Sequence, residues 1–482
     1  MGAAEPSPGR TAVVVGGGIS GLLAARELAR AGVSTTVLEA SGEWGGCVGS
    51  HVVGGLTLDS GAESFATRSP AVADLAAQLG LADQIVAPNP GGAWVQLPDG
   101  PRELPRTGVL GIPANPWDPE VRRSLGILGS LRAALDALLP ASIGTGGADT
   151  SVSALVRARM GRRVLERLVA PVVGGVHSAD PAVLDVDMVA PGLRAGIREH
   201  GSLAGAVAAQ RRGASGAPAP GTAPRKAGSA VAGLRGGMHT LVTALLADLR
   251  ERGVTLLSST PADALERTAD GWRVRSGALD YAAGLLVVAV DGPAAVGLLS
   301  GALPELATRR PAAGPDVSLV TLVVDLPALD SAPRGTGILV APQSPGIAAK
   351  ALTHATAKWR WLAGQAAPGT HVLRLSYGRG TRPADGSVPE PRTDAELFDA
   401  ALRDASALLA VPVRAGAVLA WDVVRWSGAL PFASLGHKRR VAEVREICAA
   451  DGALAVVGGW LSGNGLAAIV ADTPRVLRTL LK

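Results

Sequence analysis

The sequence predicts an α/β fold whose principal domain is a parallel, doubly wound sheet assembled from separated stretches of chain, with another domain inserted. Three observations predict it. The chain opens as strand, glycine-rich turn, helix and strand, all complete by Leu38. The same alternation resumes in mid-chain, between Met238 and Val290. Finally, 482 residues exceed the reach of one compact core, so two or three domains are expected.

Ala12–Val15 reads as a short buried strand, followed by a glycine turn and a helix from about Ser20 to Ala31. Leu22, Ala25, Leu28 and Ala29 share one face of that helix, with Arg26, Glu27 and Arg30 elsewhere. Gly32 stops it, and Thr35–Leu38 is the next strand. Farther on, Val152, Leu155, Val156, Met160, Val164, Leu165, Leu168 and Val169 recur at helical spacing. Gly161 divides them into two helices, and the arginines at 157, 159, 162, 163 and 167 lie mostly off the stripe, either as the solvated basic face of a core helix pair or as a face turned to a membrane surface or to substrate. Residues 210–229 (QRRGASGAPAPGTAPRKAGS) lack any apolar period and read as a flexible surface loop. Met238–Leu249 is then helical, and Val254–Ser258 and Leu285–Val290 are strands. The uncharged stretch Ala453–Ala471 is broken by Gly458, Gly459, Ser462, Gly463, Asn464 and Gly465, so it reads as strand, loop and helix start rather than a membrane span.

Gly16-Gly17-Gly18-Ile19-Ser20-Gly21 places G-x-G-x-x-G between the first strand and its helix. The first glycine permits the tight turn, the second lets backbone approach a pyrophosphate, and the third packs helix on strand. Phosphate charge then meets the unpaired N–H groups at the helix N-terminus. Glu39 ends the second strand, where a carboxylate accepts both ribose hydroxyls of an adenosine. This is a Rossmann-like dinucleotide site. NAD and FAD share the fingerprint, and the turn alone leaves the choice open.

Composition excludes several classes. Hydrophobic residues at 47% and charged residues at 18% fit a large buried core and argue against extensive disorder. The net charge of +5, supplied almost entirely by arginine, favours anionic small molecules or an anionic membrane surface. Scattered arginines and 3% aromatics make nucleic acid a poor partner. Cys47 and Cys448 are the only cysteines, so no disulfide framework and no metal cluster is expected, and the compartment reads as cytoplasmic. The first ten residues carry no apolar core of a signal peptide.

Glu39-Ala40, Gly45-Gly46 and Leu58-Asp59-Ser60-Gly61-Ala62-Glu63-Ser64-Phe65 resemble the amine-oxidase-like flavoprotein superfamily, whose corresponding segments wrap FAD. Cys47 stands where that superfamily has a basic residue, which leaves backbone contacts only. Arg159-Met160-Gly161 and the run Glu166–Asp180 (ERLVAPVVGGVHSAD) resemble more narrowly the protoporphyrinogen and coproporphyrinogen oxidases. Gly236-Gly237-Met238, Thr356-Ala357-Lys358-Trp359, Leu373-Arg374, Arg425-Trp426, Gly436-His437 and Gly458–Leu466 continue that likeness over nearly the whole chain. The resemblance implies a discontinuous Rossmann-like FAD-binding domain with an inserted mixed-sheet substrate domain and a helical domain. FAD-binding segments would lie at 1–80, 230–300 and 436–482, a helical and substrate-domain segment at 81–209, and a substrate-binding segment at 301–435, apart from the loop at 210–229.

It further implies FAD contacts from Gly16, Gly17, Gly18, Ile19, Ser20, Gly21, Glu39, Ala40, Gly46, Cys47, Gly61, Ala62, Glu63, Ser64, Ala262, Trp426, Asn464, Gly465 and Leu466. Arg68 and Lys358 would meet substrate propionates, and Val176 and His177 would line the pocket wall. The implied reaction is the O₂-dependent, six-electron oxidation of coproporphyrinogen III with release of H₂O₂, on the coproporphyrin-dependent route to haem. The flavin is the hydride acceptor, so no catalytic side chain and no metal is assigned. Protoporphyrinogen IX is the alternative substrate, and a flavin amine oxidase the more distant one. Against the latter, the chain has two tyrosines, Tyr281 and Tyr377, where amine oxidases sandwich their substrate between aromatic rings. Partners implied are the porphyrinogen, O₂ and a downstream ferrochelatase, with at most peripheral membrane contact.

Overall fold

In the computed structural model, which describes residues 10–105, 108–147, 149–214, 231–378, 391–428, 433–463 and 465–482, the opening segment forms β1 (Thr11–Val15), α1 (Ile19–Arg30) and β2 (Ser34–Leu38). Mid-chain supplies β3 (Thr255–Leu257) and β4 (Leu285–Val288), and the C-terminal stretch supplies β5 (Leu454–Val456) followed by α2 (Leu466–Leu480). All five strands pair in parallel, in the order β3-β2-β1-β4-β5.

Alternation along β1 explains why this sheet is covered on both faces. Ala12 and Val14 enter a core shared with α1, α2 and the helix His239–Glu251. Val13 and Val15 enter another, shared with Trp272 and Val274 of an antiparallel meander and with Val444 of the helix His437–Ala449. Strand order reverses between β1 and β4, and both α1 and α2 begin at the carboxyl edge of the sheet. In doubly wound folds that reversal is where ligands bind.

A seven-stranded mixed sheet forms the second body. Its order is Val418–Trp426, Val317–Asp325, Thr370–Tyr377, Ala351–His354, Gly337–Val340, Trp94–Leu97, Gly100–Glu103. Only the pairing of Gly337–Val340 with Trp94–Leu97 is parallel. The helix Asp394–Leu409 covers one face through Leu397, Ala401 and Leu408.

The third body is helical, with Val121, Leu125, Val156, Met160, Leu168 and Ile197 in one core. Gly161, at φ +89°, ends the helix Val152–Met160 where a side chain would be strained, and Arg132 donates to the carbonyls of Arg159 (2.8 Å) and Ala158 (2.9 Å) there. The solvated basic face expected here needs correction at two positions. Arg157, Arg162 and Arg163 are exposed, but Arg167 is half-buried and pairs with Asp99 at 2.6 Å, and Arg159 is wholly buried. Its guanidinium pairs with Asp136 at 2.5 Å and donates to the carbonyls of Asp136 (3.0 Å), Pro140 (3.1 Å), Ile143 (3.0 Å) and Gly201 (3.2 Å). The planar fork of five N–H donors suits a ring of carbonyls as a lysine would not. Asp136 also accepts from the backbone N–H groups of Leu203 (3.2 Å) and Ala204 (2.8 Å), so one ion pair ties three stretches together. The loop expected over 210–229 differs as well: 210–214 complete the helix Leu203–Ala214, and the remainder lies outside the described residues.

Removing one partner of a buried pair leaves a charge without compensation. Asp136→Ala is therefore expected to cost about 3–5 kcal/mol, read as a lower urea midpoint, because Arg159 stays buried. Arg162→Ala, which breaks only an exposed pair with Glu166, should leave the midpoint in place.

Candidate functional site

The glycine turn after β1 is built on bare backbone. A Cβ on Gly21 would lie 1.8 Å from the Gly16 carbonyl oxygen, and one on Gly16 would lie 2.8 Å from the carbonyl oxygen of Ala289, just past β4. Gly16 is also at φ +107°, in the left-handed region that glycine alone enters without strain. A Cβ on Gly18, by contrast, would meet nothing within 4 Å. The turn is thus closed toward the protein and open on one side. Helix α1 starts there with no side-chain cap, which leaves its first N–H groups for an anion.

Glu39, at the end of β2, accepts from the Gly17 N–H at 2.6 Å and from the Ser41 N–H and hydroxyl at 2.8 Å each. The Ala262 segment is carried alongside by Thr260, whose N–H donates to the Glu39 carbonyl at 2.8 Å. Ala40 follows Glu39 directly. Gly45 bridges to Gly18, and Gly46 lies against the Gly18 Cα. The Cys47 carbonyl accepts from Ala62 at 2.9 Å, and a Cβ on Gly61 would come within 2.1 Å of it. The residues from Gly16 to Gly21, Glu39 to Cys47 and Gly61 to Ala62 therefore nest in one place. Cys47 itself is exposed, yet burial of its sulfur among protein atoms raises the thiol above its ordinary value and disfavours the thiolate.

The segment Asp59–Ser64 is clamped from three distant parts of the chain. Asp59 accepts from the N–H groups of Met238 (2.9 Å) and His239 (3.0 Å), and so anchors the start of the helix His239–Glu251. The Trp426 indole N–H donates to the Ser60 carbonyl at 2.9 Å. Arg374 donates to the carbonyls of Asp59 (3.1 Å) and Gly61 (2.9 Å) and pairs with Glu63 at 3.1 Å. Lys358 pairs with the other oxygen of Glu63. Burial alone would raise the Glu63 carboxyl, but the charges of Lys358 and Arg374, with the Lys358 hydrogen bond, outweigh it and hold the group at about 2.

This changes the picture for Lys358. Expected at a pocket rim, it is an interior cation whose side chain is 14% exposed and whose ammonium is committed to Glu63. Arg68 is exposed. Val176 and His177 close the helix Ala170–His177, and their side chains lie outside the described residues. That helix packs tightly on the seven-stranded sheet: a Cβ on Gly175 would fall 2.6 Å from Leu339 Cδ2. Ser178, left-handed at φ 50°, accepts from the buried Lys350 at 2.6 Å. The run Glu166–Asp180 therefore joins the helical core to the sheet. Asn464 also lies outside the described residues. Gly465 starts α2 at φ +108° with open space at its Cβ position and no side-chain cap, and Leu466 is buried beside α1.

Sequence reasoning assigned no role to Arg374, Asp59 or Lys350. The resemblance included Arg374 and Asp59 in matched segments, but their partners lie far away along the chain. Buried His354 and His371 (3.0 Å) and Asp330 form a separate chain of contacts. Burial, then the neighbouring His371, holds His354 down at about 4, so it stays neutral and serves packing. No group of three or more metal-ligating side chains occurs among the described residues.

The sequence profile of the flavin containing amine oxidoreductases matches residues 19–471. A coproporphyrinogen III oxidase of Mycobacterium leprae is 32% identical over 479 residues, with 98% of each chain covered. A coproporphyrinogen III oxidase of Propionibacterium freudenreichii is 31% identical over 499 residues, covering 95% of this chain and 88% of its own. A crystal structure from Exiguobacterium superposes with a TM-score of 0.80 at 25% identity, over 98% of both chains.

Two expectations test the geometry. Gly21→Ala would drive a methyl into the Gly16 carbonyl, and the purified variant should lose its flavin absorbance band. Glu63 has a folded value of about 2 against an ordinary 4.5, so its contribution is complete above pH 4.5 and disappears as pH falls toward 2. Glu63→Gln should therefore be less stable than wild type at neutral pH, by on the order of 3 kcal/mol. That gap should narrow across the same window when urea midpoints are followed against pH.

Proposed function

The chain belongs to the flavin containing amine oxidoreductase family, and from that premise we propose that it is the FAD-dependent oxidase of coproporphyrinogen III. The observation that carries this reading is near-full-length similarity to proteins named for that activity, together with the Glu166–Asp180 run at the junction of helical core and sheet. The reaction removes six electrons and six hydrogens from the porphyrinogen, passes them to three O₂ and yields coproporphyrin III and three H₂O₂.

The residues present fit FAD. Open space at Gly18 and Gly465 and two uncapped helix N-termini suit an anionic pyrophosphate at one and a polar ring edge at the other. Gly16 to Gly21 would hold the pyrophosphate, Glu39 the ribose, the Ala262 backbone the adenine, and Gly46, Cys47, Gly61 to Ser64, Trp426 and Asn464 to Leu466 the remainder. When bound, FAD supplies a two-electron acceptor for hydride from a bridge carbon. The chain's own contribution is positioning. Asp59, Glu63, Lys358 and Arg374 hold the Asp59–Ser64 loop, whose residues would contact the cofactor. Oxidation of a methylene bridge leaves a pyrrole N–H acidic enough to be lost to water, so no side-chain base is assigned.

Arg68 is the propionate contact we assign, and Val176 and His177 the pocket wall. No described helix is long and apolar enough to cross a membrane. Two cysteines and no disulfide pattern favour the cytoplasm, where a ferrochelatase would insert iron into the product. Purified enzyme should oxidise coproporphyrinogen III faster than protoporphyrinogen IX, followed by porphyrin fluorescence with peroxide formed in step, and amines should not turn over. Anaerobic coproporphyrinogen should bleach the flavin. Faster turnover of protoporphyrinogen IX, or a flavin that coproporphyrinogen leaves yellow, would refute the assignment.

A further inference from the structure

Strand β5 ends the parallel sheet, with β4 as its one neighbour among the described residues. Bonds between the two follow alternate residues of β5: Leu286 N–H donates to the Ala453 carbonyl at 2.9 Å, and Val457 N–H to the Val288 carbonyl at 3.0 Å. In that register Leu454 and Val456 turn their N–H and C=O groups to the open side. No described residue bonds to those four groups, although both residues are buried. An unpaired strand edge is a template for a further strand, and buried backbone polar groups are costly without partners. The edge forms the floor of a cavity of about 190 Å³ between the helix His437–Ala449 and α2. Cys448 and Ala449 wall it on one side, Val476 and Leu480 on the other. An apolar cavity of about 150 Å³ admits a benzene ring, so an aliphatic side chain has room here. Burial, then the charge of Asp451, pushes the Cys448 thiol up to about 12, so the sulfur is wall rather than nucleophile.

Charge indicates what else a ligand carries. Arg445 and Arg475 reach the cavity from the two helices, and a single carboxylate, Asp472, serves both, at 2.7 and 2.5 Å. Each arginine meets it through one terminal nitrogen, Nη2. Arg475 is 60% exposed, and the Nε of Arg445 is buried with no partner among the described residues. The nearby Asp451 is engaged by Arg267 at 2.7 Å and by the Trp272 indole N–H at 3.2 Å. Two guanidiniums on one carboxylate leave a positive charge and spare N–H donors, so neither arginine has to leave Asp472 to take a second carboxylate. These donors sit at one end of the cavity. Both helices run against β5, because one leads into the strand and the other begins beyond its carboxyl end. Arg445 precedes Cys448, and Arg475 precedes Leu480, so the arginines lie toward that carboxyl end. Arg445 accordingly donates to the Leu461 carbonyl at 3.3 Å, past the strand. Strand edge, apolar space and cationic end match the backbone, the last side chain and the carboxylate of a chain terminus.

We propose that this cavity takes the C-terminal end of an extended partner polypeptide, with its backbone paired to the β5 edge, an apolar last side chain between the two helices and its carboxylate on Arg445 and Arg475. The bound segment runs parallel to β5, as every other strand of the sheet does. The proposal stands independently of the assigned substrate. It is tested by isothermal titration of the full-length protein with an acetylated tripeptide of two alanines and a terminal leucine. Wild type should bind the free acid saturably. The same peptide as its C-terminal amide should bind about tenfold more weakly, for want of the charge-assisted contact. Methylation of the peptide's backbone nitrogens should abolish binding, since the strand edge then meets no N–H. Arg475→Ala should weaken the free acid about tenfold and leave the amide unchanged, with the thermal midpoint in place because the side chain is exposed. Ala449→Trp, at an exposed position on the cavity wall, should fill the space and abolish binding of both peptides. Wild type that binds no free acid would overturn the proposal. So would equal affinity for acid and amide, undiminished binding of the methylated peptide, or a folded Ala449→Trp variant that still binds.

Discussion

Everything at the site depends on how closely stretches of bare backbone approach one another at the carboxyl edge of the parallel sheet. The Gly16 carbonyl occupies the space that a Cβ on Gly21 would need, so β1 and α1 meet with no side chain between them. The same condition recurs at Gly17, where a Cβ would fall 2.5 Å from the Trp44 ring, and at Gly61 against the Cys47 carbonyl. Close approach at these points brings three segments of chain into one nest and points the first N–H groups of α1 into the space beside Gly18. Position and charge are thereby set together: the turn suits an anion because the first N–H groups of α1 carry no side-chain cap.

Bare backbone supplies no rigidity of its own, and here charge does so. Asp59 and Glu63 are carboxylates in the protein interior, where an unpaired charge is costly. Asp59 is satisfied by backbone donors at a helix start and Glu63 by two cations. Arg374 does more than neutralise, because its fork also spans the carbonyls of Asp59 and Gly61. The loop is fixed at its ends and its middle by residues of the seven-stranded sheet and its connections. Motion of that sheet relative to the Asp59–Ser64 loop would have to break the ion pairs of Glu63. The two bodies therefore behave as a single support for whatever lies between them.

What was legible in the sequence is what local pattern encodes. The strand–turn–helix opening, the break at Gly161 and the strand and helix start within Ala453–Ala471 each rest on spacing within one or two turns of chain, and the structure has them. Pairings across the chain left no such trace. Glu63 and Lys358 are 295 residues apart, and neither carries a mark of the other. Arg159 was misread for a related reason: charged residues off an apolar stripe are usually solvated. Its partner, Asp136, sits on a preceding turn that periodicity alone does not orient. Family resemblance supplied the matched segments but not their geometry, which is why Lys358 was expected at a rim and is found inside.

That last difference bears on how a multiply anionic substrate is read. The interior cations described above are already used: Lys358 and Arg374 by Glu63, Arg159 by Asp136 within the helical body, and Lys350 by the Ser178 hydroxyl and the Gly378 carbonyl. A cation so engaged cannot turn to an incoming carboxylate without leaving its own partner buried and unpaired, at a cost of several kcal/mol. An exposed arginine loses little when it exchanges water for a propionate, and gains a bidentate contact. On the proposed chemistry, discrimination between substrates with four and with two propionates then falls to exposed positions such as Arg68. The interior charges have a different use: Lys358 and Arg374 hold the segment Asp59–Glu63 in place, and Arg159 the helical body.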